Sequence, residues 1–195
     1  MDNWKIGRAS MAMLVLAMAA GCGGEDPANT ANTVNFSGPV SINIDKFKDG
    51  EVRNNAFDAD KNISTESGNP YGMFLSQARA TLGRLPAAVV VDRVTLTLGR
   101  DSTGVTAFEQ ILGGPLTVYL ASSSSTVNIG TVAQPTGAGP VEVVITATRD
   151  TLAPINSDLI QGSFKVGIRV PAAASLPRSF DAKVATVLYF RALAL

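Results

Sequence analysis

Histidine is missing from all 195 residues, and cysteine and tryptophan occur once each, as Cys22 and Trp4. Without imidazole there is no Ser-His-Asp or Cys-His nucleophile. With a single thiol there is no His- or Cys-ligated zinc, haem or iron–sulfur centre either. One cysteine cannot close an intrachain disulfide, so a folded domain in this chain must be held by burial. Charge is scarce and balanced: 16 Lys and Arg stand against 16 Asp and Glu. That balance gives no electrostatic case for binding nucleic acid.

What is present begins with an address. Lys5 and Arg8 precede ten apolar residues, Met11 to Ala20, and the small pair Ala20-Gly21 stands directly before Cys22. A bilayer-spanning helix takes roughly 20 apolar residues, so ten read as a removable export signal and not as an anchor. Export leads to an oxidising compartment, where a lone thiol beside the cleavage site is a liability unless it is modified.

The AAGC run at 19–22 resembles the lipobox of bacterial lipoproteins. The resemblance covers residues 1–22 only. It implies that Cys22 is diacylglycerylated and that the chain is cut before it. Gly23, where the family carries Asp for inner-membrane retention, implies the outer membrane. Cleavage removes Lys5, Arg8 and Asp2, leaving 14 basic and 15 acidic side chains on 174 residues. Such a length suits one domain and a tether, and we divide the chain into a signal (1–21), lipidated Cys22 with a flexible tether (22–35) and one domain (36–195). Small polar residues over 23–35 give the tether a mean reach of about 20 Å.

Beyond the tether, period-two alternation predominates. Ile42 and Ile44 alternate with Ser41, Asn43 and Asp45. The same pattern recurs at 93–98, 116–120, 141–146 and 164–170, with Thr126–Val132 as an expected edge strand. Residues 46–70 read as a polar loop. Asn69-Pro70 opens a helix with Phe74, Ala78 and Leu82 on one face and Gly83 after its end. Shorter helical turns are expected after Thr106, with Glu109 at capping-box spacing, and at Asn156-Ser157-Asp158. Strands with one apolar face each bury those faces against one another, so the expected fold is an all-β antiparallel β-sandwich of Greek-key or jelly-roll kind, with a β-barrel as alternative.

Four groups of residues stand out chemically. Asp58, Asp60, Asn62, Ser64 and Glu66 alternate oxygen ligands as the first half of a calcium loop does. However, Ile63 and Asn69 stand where an EF-hand needs glycine and glutamate. Tyr119 falls on the outward side of a strand and is the aromatic best placed for a polysaccharide. The last strand is apolar on both sides, and its outward Val187, Tyr189 and Leu193 call for cover, either from the helix near residue 78 or from an envelope protein partner. Asp101, Asp150 and Asp158 are the loop carboxylates that a carboxylate-based hydrolase would use, but nothing in their spacing pairs them. The expected function is therefore a non-enzymatic, lipid-anchored binding or assembly module of the bacterial envelope, held to the membrane through Cys22.

Overall fold

The computed structural model describes residues 34–66 and 68–194. Cys22, the signal at 1–21 and nearly all of the 22–35 tether lie outside the described residues. Eight strands form the framework of the described chain: β1 (Asn35–Lys48), β2 (Ala56–Ile63), β3 (Ala88–Leu98), β4 (Leu116–Ala121), β5 (Thr126–Val132), β6 (Val141–Ile145), β7 (Phe164–Pro171) and β8 (Asp181–Leu193). Every ladder is antiparallel.

The strand order is β1-β8-β3-β6-β5-β4-β7-β2. The β5–β6 junction pairs only Gly130 with Ile145 and Thr131 with Val144. So narrow a junction lets the ladder turn a corner, leaving two four-stranded halves, β1-β8-β3-β6 and β5-β4-β7-β2. This is the interleaved order of a jelly roll. At the far ends of the ladder, Lys46 of β1 bonds the Asp60 carboxylate of β2, so the sheet comes close to closing as a barrel.

Burial follows the alternation. Val40, Ile44, Val94, Leu96, Leu188 and Phe190 point inward from one half, and Phe57, Ala59, Val118, Leu120, Val166 and Ile168 from the other, all fully buried. Burying a Val, Leu, Ile or Phe side chain contributes ~1.5–3 kcal/mol, so the two inner faces, with no disulfide, suffice to hold the halves together.

Helix α1 (Pro70–Leu82) forms as expected. The Tyr71 N–H donates to the Asn69 side-chain oxygen at 2.9 Å, proline occupies the first turn, and Gly83 ends it at φ 66°. Its buried Tyr71, Phe74, Leu75 and Ala78 face the core. Phe74 lies 5.6 Å from Phe36 of β1, and Tyr71 lies 5.0 Å from Phe190 of β8 and 4.8 Å from Phe164 of β7. Aromatics from both halves thus meet on one helix, which packs along β1. The Tyr71 hydroxyl donates to the Leu159 carbonyl at 2.8 Å, and burial holds that phenol far above its ordinary pKa.

Several expectations are corrected. Residues 46–70 are not one loop: β2 lies inside them, with Phe57, Ala59 and Ile63 inward. Its alternation is hidden because Lys61, exposed, occupies an inward-parity position between the buried Ala59 and Ile63. The chain enters β2 through Asn54-Asn55, both with left-handed φ (51° and 58°), between the mutually bonded Arg53 and Ala56. β5 is an internal strand, not an edge. Asn156 does not cap the helix that follows, α3 (Asn156–Gln161). Its amide instead donates to the Ala87 carbonyl and accepts from the Val89 N–H, bonding the start of β3. A short helix, α2 (Arg149–Leu152), precedes it under a Thr148 cap. After Thr106 the capping acceptor is Gln110, which takes the N–H groups of Thr106 and Ala107, while Glu109 accepts from Gly137. Finally, Asn35 already belongs to β1, opposite Leu193.

Candidate functional site

Val187, Tyr189 and Leu193 lie on the outward side of β8, half-buried. Flanking strands supply the rest of the face through register: Pro39 and Arg93 stand opposite Tyr189, and Ser41 and Thr95 opposite Val187. On β6, Val144 follows Val143, the partner of Val94, and is 67% exposed. The Arg93 guanidinium carbon sits 4.0 Å from the centroid of the Tyr189 ring, a cation–π contact that holds the ring flat against the sheet. Arg191, on the same side, makes a bidentate ion pair with Asp92, at 2.9 Å for the shortest contact. The result is a sheet face that mixes apolar groups with Arg93 and the Arg191–Asp92 ion pair.

The helix near residue 78 does not cover this face. α1 packs along β1 with its aromatic side turned into the core, so the half-burial of Val187 and Tyr189 comes from their neighbours in the sheet. Only long-range register joins Pro39, Arg93 and Val144 to Tyr189. Their positions in the sequence, 39, 93, 144 and 189, carry no signal of it.

The residues expected to form a calcium loop do not lie in one loop: Asp58, Asp60 and Asn62 are on β2, with Ser64 and Glu66 beyond its end. An extended strand sets alternate side chains in a row about 6.6 Å apart, so their oxygens cannot converge on one ion. Both carboxylates already have cationic partners. Asp58 accepts from Arg169 at 2.8 and 3.1 Å, and Asp60 accepts from Lys46 and Lys165. The bond from Lys46 is the main reason the Asp60 carboxyl lies below its ordinary pKa. Among the described residues no group of three or more His, Cys, Asp or Glu is gathered to hold a metal.

Tyr119 is outward on β4, as expected, but only 6% exposed. It pairs with Gly167 in register, and its ring lies across that glycine, where a Cβ would collide with it. Its hydroxyl donates to Asp58 at 2.7 Å, and Arg169 lies 5.2 Å from the ring centroid. Burial first, and then that hydrogen bond, keep the phenol well above its ordinary pKa. With the ring laid on the sheet and the hydroxyl taken, little of Tyr119 is left for stacking on a sugar.

The loop carboxylates do not meet. Asp101 follows the C-terminal end of β3, whereas Asp150 lines a shallow cavity with Ala88 at the strand's opposite end, and Asp158 lies in α3. Two clefts of about 240 Å³ flank the end of β2 and share Asn62 and Ile63, one lined also by Ser122, Ser123 and Ser163, the other by Ser41, Asn43 and Asn69.

No protein-family model and no curated protein matches this chain. Among solved structures, one titled Desmodium yellow mottle tymovirus aligns over 100% of this chain and 97% of its own at 15% identity, with a TM-score of 0.32. A likeness of that size carries no functional weight.

Proposed function

We propose that the chain is a lipid-anchored, non-enzymatic binding or assembly module of the bacterial outer membrane, acylated at Cys22 and docking an envelope protein through the outer face of the β1-β8-β3-β6 sheet. The observation that carries the docking half is the bare outward side of β8: a central strand with Val187 and Tyr189 outward and no helix laid over them. Sheets buried on both sides read as apolar on both sides, and here only one side has its cover within the described chain. The anchoring half rests on the basic, apolar and small-residue sequence that ends at Cys22.

The test has two parts. Mass spectrometry of the protein from cell envelopes is expected to find the Cys22 sulfur acylated and residue 22 at the N-terminus; a free thiol on an intact chain removes the anchor. Purification from detergent-solubilised envelopes is expected to bring down a stoichiometric protein that Tyr189→Lys releases while the domain stays folded. Retention of that protein by a folded Tyr189→Lys variant argues against this face.

A further inference from the structure

Among the described residues four large apolar side chains are strongly exposed: Val34 (49%), Met73 (58%), Leu85 (57%) and Val144 (67%). Two of them, Val34 and Leu85, belong to the same end of the jelly roll. The Val34 carbonyl accepts from Ala194, and Ala87, two residues past Leu85, donates to Leu193, the residue before Ala194. This is the end where β1 begins, β8 finishes and β3 begins.

Helix α1 runs toward the same end. Its start borders Ser41 and Asn43, its middle borders Gly38 and Pro39, and its last turn therefore lies beside the beginning of β1. That last turn carries Arg79, exposed, and leads through Gly83 into Arg84 and Leu85. Arg149 and Asp150 complete the rim beside Ala88. The end thus holds two protruding aliphatic side chains beside Arg79, Arg149 and Asp150, the composition of a surface that seats its apolar tips below lipid headgroups and its cations at headgroup level.

We infer that this end of the domain rests on the bilayer, with Val34 and Leu85 dipped into the interface and Arg79 and Arg149 against anionic headgroups. The inference rests on the proposed anchor at Cys22 for its occupant: Val34 stands twelve positions after that cysteine in the sequence, for which the expected tether has a mean reach of about 19 Å. Residues so tethered meet the surface at millimolar effective concentration, so contacts too weak to recruit a free protein suffice to seat this one. The opposite end, where Arg100 follows β3, stands roughly 33 Å further away, from ten strand steps of about 3.3 Å each.

Tryptophan fluorescence tests it, since the chain from Cys22 onward has no tryptophan of its own. Leu85→Trp and Arg100→Trp reporters would be placed in the protein from Cys22 onward, acylated in cells. Should cells leave the thiol bare, the same sulfur is coupled to a maleimide-bearing phospholipid, so that a failed anchor reading and a failed seating are told apart. In vesicles of phosphatidylethanolamine and phosphatidylglycerol with brominated acyl chains, the Leu85→Trp emission is expected to shift to the blue and to be quenched at least twofold, and Arg100→Trp to be unaffected. Adding Val34→Ser and Arg79→Glu is expected to abolish the quenching at position 85. Equal responses from the two reporters would overturn the seating. So would quenching at 85 that survives the double substitution, because proximity to the anchor alone would then explain it.

Discussion

Replacing Gly167 by alanine should destabilise the protein, although alanine is the better strand residue by roughly 0.5–1 kcal/mol. The reason is the Tyr119 ring, which occupies the space that a Cβ at 167 needs. Lifting the ring breaks the 2.7 Å bond to Asp58 and the contact with Arg169. A hydrogen bond to a charged group contributes about 1.5–3 kcal/mol, and the lower figure applies because the Asp58 side chain is 48% exposed. A cation–π contact at the surface adds ~0.5–1 kcal/mol. Offsetting these losses by the alanine gain leaves a net cost of about 1–2 kcal/mol, within reach of urea denaturation at m values of ~1–3 kcal/mol per molar. With Tyr119→Ala already present, the same glycine substitution should turn stabilising by ~0.5–1 kcal/mol, as no ring remains to displace. The sign reversal is the signature, and the double-mutant cycle should give a coupling of about 2 kcal/mol or more. Additive effects within ~0.5 kcal/mol would refute the claim that tyrosine and glycine fit each other across the ladder.

Further expectations can be checked on the same material. Thr186 is fully buried on β8 with its hydroxyl oxygen unpartnered, so Thr186→Val should raise stability by about 1 kcal/mol in chemical denaturation; a loss would mean the hydroxyl is satisfied. Because the folded-state pKa of Asp60 is depressed, its stabilisation is present above the unfolded value near pH 4 and is lost as pH falls through the lower folded value. Asp60→Asn should accordingly flatten the acid side of the stability curve, and an unchanged slope would remove that ion pair from the account. Tyr71 and Tyr119 have raised folded-state values, so the stability they contribute is complete below about pH 10 and declines above it. Phenolate absorbance from those two tyrosines should rise only with alkaline unfolding. Asn69→Ala, which removes the α1 cap, should cost about 1 kcal/mol by thermal or urea unfolding.

Alternation made β3, β4, β6, β7 and β8 legible because each shows the core a regular column of aliphatics. The helix was legible because asparagine, proline and glycine mark its ends. β2 was not, since Lys61 interrupts its inward column between Ala59 and Ile63, and its outward Asp58 and Asp60 look like loop residues until Arg169 and Lys46 are seen beside them. The left-handed pair Asn54-Asn55 was the local clue to that strand, because tight hairpin turns favour asparagine at positive φ. Candidate surfaces were harder to read. The outward parity of Tyr119 was readable from the strand, but its burial depends on a glycine 48 residues away, a pairing fixed only by register. The two-sided character of β8 was equally plain, yet which side the helix would cover depended on where β1 and β7 place Phe36 and Phe164.

The two proposed surfaces constrain each other through strand direction. β1 starts and β8 ends at the rim carrying Val34 and Leu85, so a domain seated there holds its strands upright on the bilayer. The outward side of β8, with Tyr189 five positions from Ala194 and Val187 seven, then looks sideways, parallel to the membrane. A partner that docks there must itself stand at the membrane, within about 25 Å of the headgroups at 3.3 Å per residue along β8. Docking and seating are therefore separable: Tyr189→Lys should release the partner and leave Leu85→Trp quenching unchanged, whereas Val34→Ser with Arg79→Glu should unseat the domain and weaken the partner only through lost orientation. A single substitution on the β8 face that abolished both responses would mean that the sheet lies flat on the lipid, and that the bare side of β8 is itself the membrane surface.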